Sequence, residues 1–287
     1  MDVQRFVDVG DAELCIESFG DRSDPTVLLV SGAAAAMDWW DAELCTRLAE
    51  SGRHVVRYDH RDTGRSTTGS PGAPAYAGTR LGDDCTALIE ALAVGSVHLV
   101  GISMGGGIGQ QVALTRPELV ASLTLLSTSA VGGVEAALPG PTPRVQASFA
   151  SPPPDPDWAD ADSYADWVVA GARTFAGPVT LDEARVREIA AEIHARSHDV
   201  AAAGNHWLAV GGEGDSEPLD VRRIAVPTLV IHGSDDPFFP LPHAEALAAA
   251  IQGATLLVLP GVGHEVPPPD SWNVVVPALV EHTVSRP

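Results

Sequence analysis

Short apolar runs alternate with helical stretches along most of this chain, and the alternation breaks only once. Runs at 26–30, 54–58, 97–101, 122–127, 226–232 and 255–259 have the length and hydrophobicity of strands buried on both faces. Stretches at 38–51, 79–93, 104–115, 241–251 and 270–284 carry apolar residues at helical spacing, as with Trp40, Leu44 and Leu48. Parallel strands need a crossover connection, so strand–helix–strand order predicts an α/β fold: a mostly parallel central sheet with helices on both faces. At the start of the chain, 5–9 and 13–19 flank Gly10-Asp11 and read as a hairpin.

The break lies between 130 and 220. That stretch opens with Gly- and Pro-rich sequence, including Pro152-Pro153-Pro154, and continues into helical segments at 163–175 and 181–203 without a convincing strand. Neither flank has a complete sheet alone. The expected organisation is one core of 1–129 and 221–287, with 130–220 forming a helical cap inserted after the sixth core strand.

Gly101-Ile102-Ser103-Met104-Gly105 matches G-x-S-x-G where an apolar run ends and a helix begins. That setting is the one a nucleophile elbow requires. The turn strains the serine backbone, so the flanking residues must be small, and Gly101 and Gly105 supply this. Gly106 and Gly107 are expected to let the helix approach the sheet, and its N-terminus places a positive dipole end near a developing oxyanion. A serine hydroxyl needs a base, and the candidate is His264 in the Gly-rich run Pro260-Gly261-Val262-Gly263-His264 after the last strand. The orienting acid is sought after the preceding strand, in His232-Gly233-Ser234-Asp235-Asp236-Pro237, where Asp236 is favoured over Asp235. Ser103, Asp236 and His264 then follow the chain order Ser…Asp…His at three separate strand ends.

The loop Ser31-Gly32-Ala33-Ala34 follows the third strand and is positioned to supply one backbone N–H to an oxyanion hole, from Ala33. Met104 supplies the other. Trp39, Trp40, Trp167 and Trp207 are the candidate substrate contacts, and aromatics in the inserted segment favour a bulky apolar substrate. His194 and His198 have metal-like spacing, but Ala195 stands where a zinc protease carries glutamate, so no metal is expected. The remaining histidines form no ligand cluster in the sequence, and no phosphate-binding fingerprint implies a cofactor.

With 38 acidic against 17 basic residues, a net charge of −21 disfavours nucleic acid and anionic membrane surfaces as partners. Cys15, Cys45 and Cys85 lack zinc or redox spacing and read as free buried thiols. With no signal-peptide pattern and no long apolar run, a cytoplasmic location is expected.

Over essentially its whole length the chain resembles the α/β-hydrolase superfamily, and within it the aclacinomycin methylesterase group. The carrying segments are Tyr58-Asp59-His60-Arg61-Asp62-Thr63-Gly64-Arg65-Ser66-Thr67, the 101–105 motif, Val226-Pro227-Thr228-Leu229-Val230-Ile231 and 260–264. The resemblance implies a helical cap, a Ser103–His264–Asp236 triad, no cofactor, and hydrolysis of a methyl ester on a polyketide-like small molecule. Ser31-Gly32 departs from the His-Gly or Gly-Gly pair common at its position. A lactonase, a carbon–carbon bond hydrolase and a perhydrolase share these residues. A non-catalytic ligand-binding protein on the same scaffold is the rival from another class.

Overall fold

A computed structural model describes residues 4–178, 181–210 and 219–284. The strands are β1 (Arg5–Asp8), β2 (Glu13–Phe19), β3 (Thr26–Val30), β4 (His54–Tyr58), β5 (Val97–Ile102), β6 (Val120–Leu126), β7 (Thr228–Gly233) and β8 (Thr255–Leu259). They form one sheet in the order β1-β2-β4-β3-β5-β6-β7-β8. Only the pairs made by β2 are antiparallel; from β4 across to β8 every pair is parallel. The hairpin turn has Gly10 at φ +104, a conformation that costs glycine little.

Alternate side chains along the strands feed two cores. On one face Leu28, Val30, Val56, Leu99 and Val230 pack against α2 (Thr79–Leu92), α3 (Met104–Thr115) and α8 (Pro242–Ala250). On the other, Val27, Leu29, Val55, Val100 and Ile231 pack against α1 (Ala42–Glu50) and α9 (Trp272–His282). Burial on both faces explains why the strands read as continuous apolar runs rather than alternating ones. Cys15, Cys45 and Cys85 are buried free thiols, and burial pushes them up to about 11, 12 and 12.

Between β6 and β7 lie α4 (Pro143–Ala150), α5 (Ala161–Phe175), α6 (Glu183–Arg196) and α7 (Asn205–Val210). Of the stretch read as an insertion, 179–180 and 211–218 lie outside the described residues. The Asp160 and Asp182 side chains accept first-turn N–H groups and so start α5 and α6. The expected helix over 181–203 is two pieces: α6 ends at Arg196, and a short 3-10 turn, Val200–Gly204, begins where Asp199 caps Ala201. His198 therefore leaves the face of His194; one ring bonds Arg65 O and the other Trp158 O. The expected helix over 38–51 is likewise split, because Asp41 caps Glu43 and starts α1 afresh behind the turn Met37–Trp39. No helix among the described residues is long and apolar enough to cross a membrane.

Candidate active site

At the end of β5 the chain turns directly into α3, and Ser103 at the junction adopts φ 54, ψ −118. Such a conformation costs a side-chain-bearing residue about 1–3 kcal/mol, so the surroundings must impose it. Ser103 N–H donates to Leu126 O (3.0 Å), and its carbonyl accepts from Gly107 N (3.1 Å) and Thr128 Oγ1 (2.8 Å). A Cβ on Gly101 would stand 2.2 Å from Gly105 O, and one on Gly105 would stand 2.3 Å from Val30 O. Both glycines are thus required by backbone approach. A Cβ on Gly106 would stand 2.7 Å from Thr128 Cγ2, whereas one on Gly107 would come no nearer than 3.6 Å, to Val131 Cγ1, so of the two only Gly106 serves the close approach expected of both.

The loop after β8 carries His264 over this turn. His264 Nε2 lies 2.9 Å from Ser103 Oγ and Nδ1 lies 2.8 Å from Asp236 Oδ2. Asp236, beyond β7, is 3% exposed, and its Oδ1 accepts Phe238 N–H and Phe239 N–H at 2.9 and 2.8 Å. Burial pushes this carboxyl up, but the His264 hydrogen bond, the neighbouring imidazoles and the backbone donor outweigh it, leaving the group below the ordinary carboxylate value. Asp235 is exposed and bonded to Ser234 Oγ, away from the imidazole. His232 Nε2 lies 3.5 Å from Asp236 Oδ2, bonds Phe239 O at 2.7 Å, and is held below its ordinary value by burial.

A cavity of about 320 Å³ opens on Ser103 and His264 and is lined by Ala33, Trp39, Trp167, Trp207, Phe175 and Phe238, among others. Trp40 is not part of it. Its side chain is 1% exposed and packs with Leu44, Leu48 and Val55 under the sheet, so its expected role as a substrate contact is corrected. The 3-10 turn sends Trp39 and Trp40 to opposite sides of the chain. Phe149, Phe175, Phe238 and Trp207 form a cluster of tilted and edge-to-face rings beside His264 that the sequence pattern did not assemble. Its members come from four separate segments, so spacing carried no signal. A larger polar groove of about 680 Å³ at the other end of the sheet, near Asp24, His98 and Ser122, contains none of these residues.

The loop after β3 is a turn in which Ala35 N–H donates to Gly32 O (3.3 Å) and Ala34 takes φ 58. A Cβ on Gly32 would lie 3.5 Å from Ser103 Cβ, which places this turn beside the elbow. Met104 opens α3, where first-turn N–H groups have no partner within the helix.

The inserted helices are tied to this end of the sheet by buried polar contacts. Arg196, at the end of α6, donates to both Asp38 and Asp59 at 2.5–2.9 Å. Burial opposes its charge, and the two carboxylates more than restore it. Asp59 also accepts Met37 N–H and Arg65 N–H, and Gly64 (φ 53) stands where a Cβ would meet the Asp59 carboxylate. The 59–67 loop is thus fastened both to the core and to the insertion. At the other side Phe175 O, ending α5, accepts the His264 N–H at 2.8 Å.

Residues 25–268 match the family model described as alpha/beta hydrolase fold. The chain belongs to the α/β hydrolase family. This hydrolase is 32% identical over 282 residues to rhodomycin D methylesterase DauP of Streptomyces sp. (strain C5), covering 92% of each chain. It is 30% identical over 259 residues to a putative carbamate hydrolase, RutD, of Pseudomonas syringae pv. syringae (strain B728a), covering 84% of this chain and 86% of that one. Among solved structures, 2-hydroxy-6-oxo-6-phenylhexa-2,4-dienoate hydrolase of Rhodococcus sp. strain RHA1 superposes with a TM-score of 0.72 at 20% identity, over 98% of both chains, and shares the fold.

Proposed function

We propose that this α/β hydrolase cleaves an uncharged carboxylic ester, a methyl ester or lactone of a bulky, polyketide-like small molecule, through an acyl-enzyme on Ser103. The observation that carries this reading is the aromatic cavity against the Ser103–His264 pair. Among the described residues Glu265 is the one acidic residue in its lining and no lysine or arginine lines it; the segments 179–180 and 211–218 contain no lysine or arginine either. A carboxylate-bearing substrate buried there would lose hydration without gaining a cation, so a dienoate substrate of the carbon–carbon hydrolase kind is disfavoured. Trp167 Nε1 and Ser31 Oγ are buried without a hydrogen-bond partner among the described residues, in two residues that line the cavity. They suit the carbonyls and hydroxyls of an oxygenated ring system. The similarity to a rhodomycin D methylesterase supports the methyl ester version.

In this mechanism His264 Nε2 takes the Ser103 proton as Oγ bonds to the ester carbonyl carbon. Asp236 keeps the proton of His264 on Nδ1 and stabilises the imidazolium. The Ala33 and Met104 N–H groups hold the oxyanion. Collapse expels the alkoxide, which leaves as the alcohol with the proton from Nε2. Water then enters, gives a proton to His264 and attacks the acyl carbon, and the proton returns to Ser103 as the acid departs. In the same proposal 1–129 and 221–287 are the catalytic core and 130–220 the cap. The three reduced, buried thiols support a cytoplasmic location.

The test is hydrolysis of short p-nitrophenyl esters and aromatic methyl esters by wild type and Ser103→Ala, with intact-mass detection of a fluorophosphonate adduct. Turnover and labelling by wild type, both lost in the variant, are the expected outcome. A matched ester bearing a free acyl carboxylate should turn over at least ~10-fold less efficiently than its neutral analogue. A folded wild type that neither labels nor turns over would instead be the ligand-binding protein.

A further inference from the structure

His60 and His206 stand apart in the sequence, one after β4 and one in α7, yet their rings meet edge to face at 5.7 Å between centroids, both fully buried. Each grips the turn that carries Ala33. His60 Nε2 lies 3.1 Å from Ser31 O, and His206 Nδ1 accepts the Ala34 N–H at 3.0 Å. With Nδ1 accepting, the His206 proton is on Nε2, which donates to Arg61 O at 2.8 Å. Every polar atom of this inserted-helix side chain is therefore spent on joining the Ala33 turn to the 59–67 loop.

The effect on the turn follows from peptide geometry. Three consecutive peptide units are pinned: Ser31–Gly32 by His60, Gly32–Ala33 by the Ala35 N–H, and Ala33–Ala34 by His206. In a trans peptide C=O and N–H point in opposite directions. With Gly32 C=O turned inward to Ala35, the Ala33 N–H must point out of the turn. Ala34 sits at φ 58, a conformation an alanine leaves unless something external holds it. The holding contact is the His206 acceptor. Burial keeps both rings uncharged, His60 at about 3 and His206 below its ordinary value, so Nδ1 of His206 remains an acceptor at neutral pH.

We propose that His206, carried on the inserted helix α7, is a positioning residue that holds the Ala33–Ala34 turn so that the Ala33 N–H is presented as an oxyanion donor. The insertion thereby takes part in building the catalytic site as well as in covering it. This rests on the acyl-enzyme reading above.

The test compares wild type, His206→Ala, His206→Asn and His206→Gln by steady-state kinetics on p-nitrophenyl butyrate, fluorophosphonate labelling rate and Tm. Asparagine places an acceptor near the position of Nδ1 and restores the bond from Ala34. Glutamine reaches toward the position of Nε2 and serves Arg61 instead. Expected are falls of ~10- to 100-fold in kcat and labelling rate for the alanine and glutamine variants, approaching the loss of an oxyanion donor, with KM changed less than about twofold and activity largely recovered by asparagine. Should the alanine variant not fold, the asparagine–glutamine pair carries the comparison. Equal kcat in those two, or kcat that simply tracks Tm, overturns the proposal while leaving the acyl-enzyme reading intact. A wild type without turnover or a Ser103 label overturns both.

Discussion

The ends of the strands and the inserted helices face each other across one cavity, and they are built on opposite terms. Ser103, Asp236 and His264 stand directly after β5, β7 and β8, with Asp236 buried and its spare oxygen bound to two backbone N–H groups. The inserted wall is aromatic and partly open: Trp207, which lines the cavity, is 45% exposed, and Phe149 behind it 48%. Positions that require ångström placement are carried by the sheet, and surfaces that need only shape and hydrophobicity by the insertion. The division is crossed where Arg196, Phe175 O, His198, Asn205 and His206, among others, reach back to the core.

That contrast is broken or sharpened most by the two adjacent aspartates. Asp236→Asn should lower kcat by about 10⁴-fold by misorienting the imidazole, while Asp235→Asn leaves it within about twofold. Similar losses for both would mean that the acid is not the one bonded to Nδ1. Next in size is the ionic tie. Arg196→Met leaves Asp38 and Asp59 buried without their cation and should cost about 3–5 kcal/mol in urea unfolding. A change under 1 kcal/mol would show that the ionic tie contributes little to docking the insertion.

A smaller effect separates the two sides by pH. His60 has a folded value of about 3 against 6.5 for the free imidazole. Between those values the unfolded chain binds the proton more readily, so this contribution to stability is complete above 6.5 and is lost as pH falls. From pH 7 to pH 5 wild type should lose about 2 kcal/mol more than His60→Asn, whose side chain does not titrate. Comparing the pair cancels the relief of repulsion as the net charge of −21 is titrated, and parallel curves would remove His60 from the account. Smallest is the wall itself. Trp207→Ala should raise KM for a bulky aromatic ester about tenfold and leave a p-nitrophenyl acetate assay unchanged. A matching fall on acetate would place Trp207 in the machinery rather than in selection.

Much of the scaffold was legible along the chain because its signals are local. A doubly buried strand is a continuous apolar run, the Gly-flanked Ser103 turn is a five-residue pattern, and both were read where they stand. Helix boundaries were less legible. A cap such as Asp199 or Asp41 restarts a helix inside an amphipathic pattern that reads as continuous. Trp39 and Trp40 show the same limit, since two adjacent indoles have the same chemistry and only the turn beneath them sends one to the cavity and the other to the core.

What the sequence by itself determined was the order of strands and helices, the interruption after the sixth strand, and the serine, aspartate and histidine at three strand ends, all set by periodicity and by backbone sterics of neighbouring residues. Tertiary structure alone decided which aromatics wall the cavity, and that Arg196 and His206 fasten the insertion to the core. Those contacts join residues from 133 to 172 positions apart, as between His206 and Ala34 or Arg61, and between Asn205 and Gly72. Partners at such distances are chosen by burial and hydrogen-bond geometry once the chain has closed on itself, and no local pattern encodes them.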